Sequence, residues 1–175
     1  MFDGLRVGAI ILMGGEGSRF GGAIPKQFQR LGGKQVFLHT LEAFGQAKWF
    51  DEIVLVCHVD WVERVQKEVG QAARVISGGS TRQESSHRGL KGFFEIPDII
   101  LIHDAVRPFI TKDLLEENIR GAIHWGAVDT CIPSSDTIVH APGRQKIAGI
   151  PMREEFLRGQ TPQTFRYEVI KKAHE

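Results

Sequence analysis

The stretch VGAIILMGGEGSRFGG, residues 7–22, places a nearly unbroken apolar run directly before a glycine-rich turn. Apolar runs without polar alternation are typical of strands that are buried on both faces of a parallel sheet. Glycines after such a strand let the backbone approach a ligand closely and expose amide groups to an anion. The stretch therefore predicts the first strand of an α/β sheet, followed by an anion-binding loop.

The rest of the chain repeats this alternation of strand and helix. Further apolar runs lie at residues 53–58, 99–103 and 127–132, and the segments around Leu41, Val65 and Ile119 carry apolar residues every three or four positions. Strands separated by amphipathic helices predict a mainly parallel sheet covered on both faces. We therefore expect a Rossmann-like three-layer α/β/α sandwich formed by one domain, residues 1–175.

A different pattern follows Pro133. Residues 136–140 and 146–150 are two short strand candidates on either side of the turn pair Pro142-Gly143. Such a hairpin has too little core to be stable alone. We expect a protruding β-arm that lies on the domain or reaches another subunit.

The composition narrows the classes of protein to which this chain could belong. A hydrophobic content of 42% and a formal net charge of +1 describe a soluble globular protein without the basic surface of a nucleic-acid-binding protein. No apolar run is long enough to cross a bilayer, and the first residues lack a signal-peptide pattern. We expect a cytoplasmic protein that binds neither membranes nor nucleic acid, and two buried thiols, Cys57 and Cys131.

The glycine loop has two interpretations. It lacks both the glycine spacing of dinucleotide-binding proteins and the Gly-Lys-Ser/Thr ending of a P-loop, and it could be a tight turn without a ligand. The cations Arg19 and Lys26 lie just beyond it and favour phosphate binding. Lys26 could alternatively be an ordinary exposed lysine.

A carboxylate follows the third apolar run. Asp104 lies just past the carboxyl end of that strand, at the edge where open α/β sheets bind ligands. A carboxylate there suits Mg²⁺, which takes few protein ligands beside substrate phosphates. Alternatively, Asp104 caps a turn or pairs with Arg107. We interpret His103 as a structural partner.

A second glycine turn, Gly78-Gly79, precedes several side-chain donors and the start of a helix. Its backbone groups could recognise a base, whereas Ser80 or Thr81 could simply cap the helix.

Six ordered motifs together resemble the polyol-phosphate cytidylyltransferase family. The resemblance covers nearly the whole chain and rests on residues 14–19, 25–28, 78–79 with 82–85, 103–109, 136–137 and 160–163. The two best-known branches of this family act on 2-C-methyl-D-erythritol 4-phosphate, in isoprenoid synthesis, and on ribitol 5-phosphate, in teichoic-acid synthesis. The resemblance implies that the chain transfers CMP from CTP to a polyol phosphate, with Mg²⁺ as the cofactor.

The resemblance also implies roles for individual residues. Arg19 and Lys26 would be catalytic, and a homodimer would form through the arm, residues 136–160. The CTP-binding residues would be Gly14, Gly15, Gly17, Arg19, Lys26, Gly79, Ser80, Ser85, Asp104 and Ala105, with Asp104 also binding the metal; the polyol phosphate would be bound by Arg107, Thr137, Arg153 and Thr161.

Val106, residues 126–130 and Gly159 favour the ribitol branch over the methylerythritol branch. Two features depart from the family pattern. Met13 stands where the family often has alanine, and the resemblance implies that a C-terminal segment with an acidic motif and a lysine is missing after Glu175.

Three other functions are compatible with parts of this pattern. A sugar-1-phosphate nucleotidyltransferase would prefer UTP, GTP or dTTP, and a non-catalytic nucleotide-binding dimerisation module would form no product from CTP. A nicotinamide oxidoreductase is disfavoured, because the required glycine spacing is absent from the sequence.

Overall fold

The structure is a computed structural model, and it describes residues 1–15 and 24–175. The strands are β1 (Val7–Met13), β2 (Arg30–Leu31), β3 (Lys34–Gln35), β4 (Glu52–Cys57), β5 (Arg74–Ser77), β6 (Ile99–Asp104), β7 (Ala127–Pro133) and β8 (Leu157–Arg166). The helices are α1 (Val36–Ala47), α2 (Val62–Val69), α3 (Arg82–Leu90), α4 (Lys112–Trp125) and α5 (Tyr167–Ala173). In the described part of the chain, no helix combines the length and the apolar content needed to span a membrane.

Six strands form one sheet in the order β5-β4-β1-β6-β8-β7. The neighbours β5, β4, β1 and β6 run parallel, whereas β8 is antiparallel to both β6 and β7. The central position of β1 explains why its sequence is apolar throughout, since both its edges and both its faces are covered. The predicted Rossmann-like, mainly parallel sheet is confirmed.

Helices cover the sheet on both faces. Ala9 and Ile11 of β1 belong to the core on one face, which includes buried residues of α1, α2 and α4. Ile10 belongs to the core on the other face, with Leu90 of α3 and Ile170 of α5. Alternate residues of a strand point to opposite faces, so one strand supplies both cores and the three-layer prediction is confirmed.

Helix α3 lies unusually close to the sheet. A Cβ atom at Gly89 would come within 2.7 Å of the Ile10 side chain, so only glycine allows this approach. The helix begins after Thr81, whose hydroxyl accepts a hydrogen bond from the Glu84 amide at 3.0 Å. The predicted N-cap is therefore Thr81.

The prediction of two strands in the arm is wrong. Between β7 and β8 the described chain contains one isolated antiparallel bridge, between His140 and Gly149. The predicted turn is present, with the Arg144 amide donating to the Ala141 carbonyl at 3.0 Å. Most residues of the arm are exposed, so little burial adds to the few bonds of a lone hairpin and a longer ladder does not form.

The prediction that both thiols are buried holds for Cys57 only. Cys57 ends β4 inside the sheet and is fully buried, whereas Cys131 is exposed. Cys131 lies on β7, which is the edge strand, and the surface of an edge strand need not be covered by a helix.

Candidate active site

A hollow of about 660 Å³ opens at the carboxyl ends of the parallel strands. Ligands of open α/β sheets bind at this edge, because the loops that follow the strands converge there. The lining comes from the end of β1, the turn after the glycine loop, the start of α3 and the segment after β6: Leu12, Met13, Gly14, Gly15, Lys26, Gln27, Gly79, Ser80, Thr81, Arg82, Ser85, Asp104, Val106 and Arg107.

A buried glutamine joins the glycine loop to the segment that carries Lys26. Gln27 Nε2 donates to the carbonyl oxygen of Met13 at 2.7 Å and to that of Gly15 at 3.2 Å. Lys26 begins a short 3-10 turn, Lys26–Phe28, whose Phe28 ring packs against Trp61 at 4.6 Å between centroids. These contacts fix Lys26 on the wall of the hollow beside Gly14 and Gly15.

Asp104 lies between two guanidinium groups. Arg82 Nη2 is 3.3 Å from its Oδ1, and Arg107 Nε is 3.3 Å from its Oδ2. Its backbone amide donates to Thr161 Oγ1, also at 3.3 Å. The alternative in which Asp104 pairs with Arg107 is therefore present in the structure, although partly exposed pairs of this length stabilise the fold little.

Arg107 is held from a second direction. Its Nη1 donates to the side-chain oxygen of Gln160, and its carbonyl oxygen accepts from Nε2 of the buried His103 at 3.0 Å. Burial is the main cause that lowers the pKa of His103. A neutral ring that is bonded to a backbone carbonyl agrees with the structural role predicted for His103.

The turn between β5 and α3 forms another part of the wall. The Gly79 amide donates to Ser85 Oγ at 3.0 Å, and Ser85 is buried. The side chain of Glu84 accepts from both the amide and the hydroxyl of Ser80. Gly79, Ser80 and Ser85 are thus held by hydrogen bonds within one turn, and all three line the hollow together with Lys26 and Asp104.

The sequence profile of the 2-C-methyl-D-erythritol 4-phosphate cytidylyltransferase (IspD) family matches residues 7–175. The chain belongs to the IspD family. It is therefore a nucleotidyltransferase of the cytidylyltransferase class, and the family resemblance stated above is confirmed. The family uses CTP and a polyol phosphate, and its match favours the methylerythritol branch, so the preference for ribitol 5-phosphate is not confirmed.

Solved structures of similar proteins agree with this assignment. The chain is 28% identical to 4-diphosphocytidyl-2C-methyl-D-erythritol synthase of Anaerococcus prevotii, with a TM-score of 0.86 over 98% of this chain and 76% of that one. For 2-C-methyl-D-erythritol 4-phosphate cytidylyltransferase of Thermus thermophilus the identity is 28% and the TM-score 0.77, over 97% and 75% of the two chains. For the Francisella tularensis enzyme of that name the values are 25% and 0.79, over 97% and 76%.

Among the described residues that line the hollow of this IspD-family site, Asp104 carries the one carboxylate. The described residues contain no cluster of three or more His, Cys, Asp or Glu side chains that could hold an ion by themselves. Mg²⁺ in nucleotide sites takes one or two carboxylates and completes its shell with phosphates and waters. Asp104 fits that pattern, because its two long contacts with arginines leave oxygen lone pairs for an ion that arrives with the triphosphate.

Several predicted site residues lie elsewhere. Gly17 and Arg19 fall outside the described residues. Ala105 is fully buried behind the hollow, where its amide donates to the Leu12 carbonyl. Thr137 is exposed on the arm, and Arg153 lines a separate hollow of about 490 Å³ at the base of the arm. One chain does not bring these two arm residues to Asp104.

Four residues of the site had no role in the sequence-based prediction: Gln27, Arg82, Glu84 and Gln160. Each stands inside a quoted motif, next to a residue that was assigned a role. Their position in a motif was the only available signal, because their contacts join segments that are distant in sequence or cross a turn.

Proposed function

We propose that this chain transfers CMP from CTP to 2-C-methyl-D-erythritol 4-phosphate and releases pyrophosphate. The family match and the names of the similar solved enzymes support this acceptor. The observation that carries the proposal is the hollow itself, in which Lys26 and the Asp104–Arg107 pair lie on the wall with the backbone of Gly14 and Gly15, which follow β1. Cations and exposed amides around one space suit two phosphate-bearing substrates.

We divide the nucleotide-binding roles between two segments that line the hollow. We assign the triphosphate to the backbone of Gly14 and Gly15 and to Lys26, with Gly17 and Arg19 assigned from the sequence alone. We assign cytosine and ribose to the turn that contributes Gly79, Ser80 and Ser85 to the same hollow. Asp104 lines the same hollow as both groups of residues, and there it would hold Mg²⁺ against the phosphates.

The proposed reaction requires no general base. The second pKa of a phosphate monoester is about 6, so the attacking oxygen is already ionised at neutral pH. That oxygen forms a bond to the α-phosphorus of CTP, and the bond to the pyrophosphate oxygen breaks. Bound Mg²⁺ would supply additional positive charge, while Lys26 and Arg107 orient the two anions and reduce their repulsion.

We assign the acceptor phosphate to Arg107, whose guanidinium is oriented by Asp104 and Gln160, and to Thr161 beside it. Thr137 and Arg153 would complete this site from the arm of a second subunit. The arm supports such a dimer, because the segment between β7 and β8 exposes apolar side chains that a partner could cover. These are Val139, Ile147, Ile150, Met152 and Phe156.

The decisive experiment measures pyrophosphate release by the purified chain with CTP and Mg²⁺. Parallel reactions contain 2-C-methyl-D-erythritol 4-phosphate, ribitol 5-phosphate or no acceptor. We expect release that depends on the methylerythritol substrate. Release that depends on ribitol 5-phosphate would identify that compound, instead of the methylerythritol substrate, as the acceptor. Equal release without any acceptor would contradict the proposed transfer.

The dimer is tested by sedimentation velocity. We expect Ile150→Asp to shift a dimer towards monomer, because a charge would then be buried in the apolar contact. Ile96→Asp is the matched control, since Ile96 is similarly exposed (67% against 63%) but lies before β6, outside the arm. A wild-type chain that sediments as a monomer at the concentrations used for the activity assay would contradict this part of the proposal.

A further inference from the structure

The turn that faces the hollow from β5 is tied to helix α3 through one carboxylate. We call residues 78–80 the base loop. Glu84 Oε2 accepts from the Ser80 amide at 2.8 Å and from Ser80 Oγ at 2.9 Å. Glu84 Oε1 accepts from Arg88 Nη2 at 2.6 Å, and Arg88 Nη1 donates to the Gly78 carbonyl at 2.8 Å. Glu84 and Arg88 therefore connect both ends of the base loop.

Every hydrogen-bond donor of the base loop is directed to an acceptor within the protein. The Gly78 amide donates to the Cys57 carbonyl at 2.7 Å, and the Gly79 amide donates to Ser85 Oγ at 3.0 Å. The amide and the hydroxyl of Ser80 both donate to Glu84. The loop can therefore offer its donors to a ligand only by breaking one of these bonds.

The acceptors of the base loop are in a different position. Among the described residues, the one hydrogen bond to the Gly79 carbonyl is a long contact of 3.5 Å from Ser85 Oγ. Ser80 Oγ uses its proton towards Glu84 and keeps acceptor lone pairs, since a hydroxyl has one donor and two lone pairs. Both residues line the hollow. The loop consequently presents acceptors to whatever base lies against it.

Glycine is required at position 79 for this arrangement. A Cβ atom there would lie 2.2 Å from Cδ of Glu84, and the Cβ and Cγ atoms of Glu84 are almost as near. The glutamate side chain thus runs directly against the backbone of Gly79 on its way to Ser80. Any larger residue at position 79 would displace the carboxylate.

We propose that Glu84 is a specificity-determining positioning residue, which makes the base loop select a base with an exocyclic amino group over one with a keto group at the same position. This rests on the proposed function, in which the base is that of CTP. The amino group of cytosine donates to the loop acceptors. The corresponding keto oxygen of uracil is itself an acceptor, so it would face the loop acceptors without forming a hydrogen bond. An unpaired polar contact in a desolvated site is costly, so the loop rejects UTP.

The charge state of Glu84 suits this role. The bonds from the Ser80 amide and hydroxyl, followed by the Arg88 guanidinium, hold the pKa of Glu84 below its usual value. An ionised carboxylate has no proton to donate, so it can only accept from Ser80.

The test compares the dissociation constants of CTP and UTP, measured calorimetrically with Mg²⁺. Glu84→Ala releases both Ser80 donors, and we expect the preference for CTP over UTP to fall about tenfold. In Glu84→Gln the amide oxygen can still accept from Ser80, so most of the preference is retained even though the ion pair is lost. Arg88→Met loosens Glu84 without removing it and is expected to lower the preference in the same direction.

Glu116→Ala is the matched control. It removes an i,i+4 pair of the same type, Glu116 with Arg120 at 2.9 Å, on helix α4 and away from the hollow. We expect its nucleotide preference to equal that of the wild type. Thermal melting of each variant verifies that the binding experiments use folded protein.

Three results would overturn the inference. These are equal weakening of CTP and UTP binding in Glu84→Ala, the same loss of preference in Glu84→Gln and Glu84→Ala, and a wild type that does not prefer CTP. Pyrophosphate release reports separately on the proposed function. A wild type that prefers CTP in binding but releases no pyrophosphate with any acceptor would contradict the transfer and leave the inference standing.

Discussion

The side-chain amide of Gln27 donates to the main-chain carbonyl of Met13 at 2.7 Å and fastens the end of β1 to the turn that carries Lys26. Gln27 is 4% exposed, so its amide is removed from water. We expect Gln27→Met to lower the free energy of unfolding by about 1–3 kcal/mol, because the Met13 and Gly15 carbonyls lose this donor. Urea denaturation measures that loss, and CTP titration measures the accompanying weakening of nucleotide binding.

Gln29→Met is the control for this prediction. Gln29 also donates its amide to a backbone carbonyl, that of Ile24, at 2.9 Å, but this bond is exposed to solvent. Water can replace an exposed donor, so we expect a small change in stability. Equal decreases in the free energy of unfolding of the two variants would show that the buried hydrogen bonds of Gln27 stabilise the protein no more than an exposed one does.

Lys26 lines the hollow together with Gly14 and Gly15. We expect Lys26→Ala to lower turnover by roughly 10²-fold, by analogy with removal of one preorganised transition-state donor. The steady-state rate of pyrophosphate release measures this effect. Lys91→Ala removes an exposed lysine after helix α3 and is expected to leave the rate unchanged. A near-normal rate in Lys26→Ala would refute the proposed role of Lys26.

The sequence predicted those elements of the fold whose own residues carry the pattern. β1 has the predicted bounds, and β4, β6 and β7 lie within one residue of prediction, because β1, β4 and β6 are nearly continuous apolar runs and β7 is rich in apolar residues around Asp129 and Thr130. β8 was missed, since its sequence LRGQTPQTFR has little apolar content and contains both glycine and proline. β8 forms because β6 and β7 pair with it on its two edges. A local sequence pattern does not reveal such tertiary pairing.

A contact in the candidate site was predictable where both of its residues lie in the same sequence motif. Asp104 and Arg107 are three residues apart, and they form the ion pair that the sequence analysis gave as the alternative to metal binding. The contact of Asp104 with Arg82 joins segments 22 residues apart, and that of Arg107 with Gln160 joins segments 53 residues apart. Such contacts depend on strand order, which the chain pattern leaves open.

The two cysteines should react at different rates. Burial raises the pKa of Cys57 to about 11, whereas Cys131 is exposed on the edge strand, with desolvation and the Asp129 carboxylate raising its pKa. At pH 8 we expect iodoacetamide to modify Cys131 first, because access and thiolate content control this reaction. Mass spectrometry of native and urea-unfolded protein measures the order. Modification of Cys57 in the native protein at the same rate would contradict the buried position.

Two stacked histidines should make stability fall in acid. The rings of His87 and His174 lie 5.1 Å apart with an angle of 11°, and Ser86 Oγ is 3.3 Å from His174 Nε2. Desolvation, followed by the charge of His87, lowers the pKa of His174 in the folded state. The unfolded chain therefore binds a proton at a higher pH than the folded chain does. Stability is retained above about pH 6.5 and decreases as the pH falls towards the lowered folded pKa.

For one proton this dependence cannot exceed about 1.4 kcal/mol per pH unit, and partial exposure of His174 reduces it further. Urea denaturation between pH 5 and 8 measures the slope. We expect His174→Gln to flatten it, since glutamine keeps a polar partner for Ser86 but does not titrate. His140→Gln serves as the control, because His140 is exposed on the arm and far from this pair in sequence. If His174→Gln and His140→Gln change the slope equally, the stacked pair is not the source of the acid sensitivity.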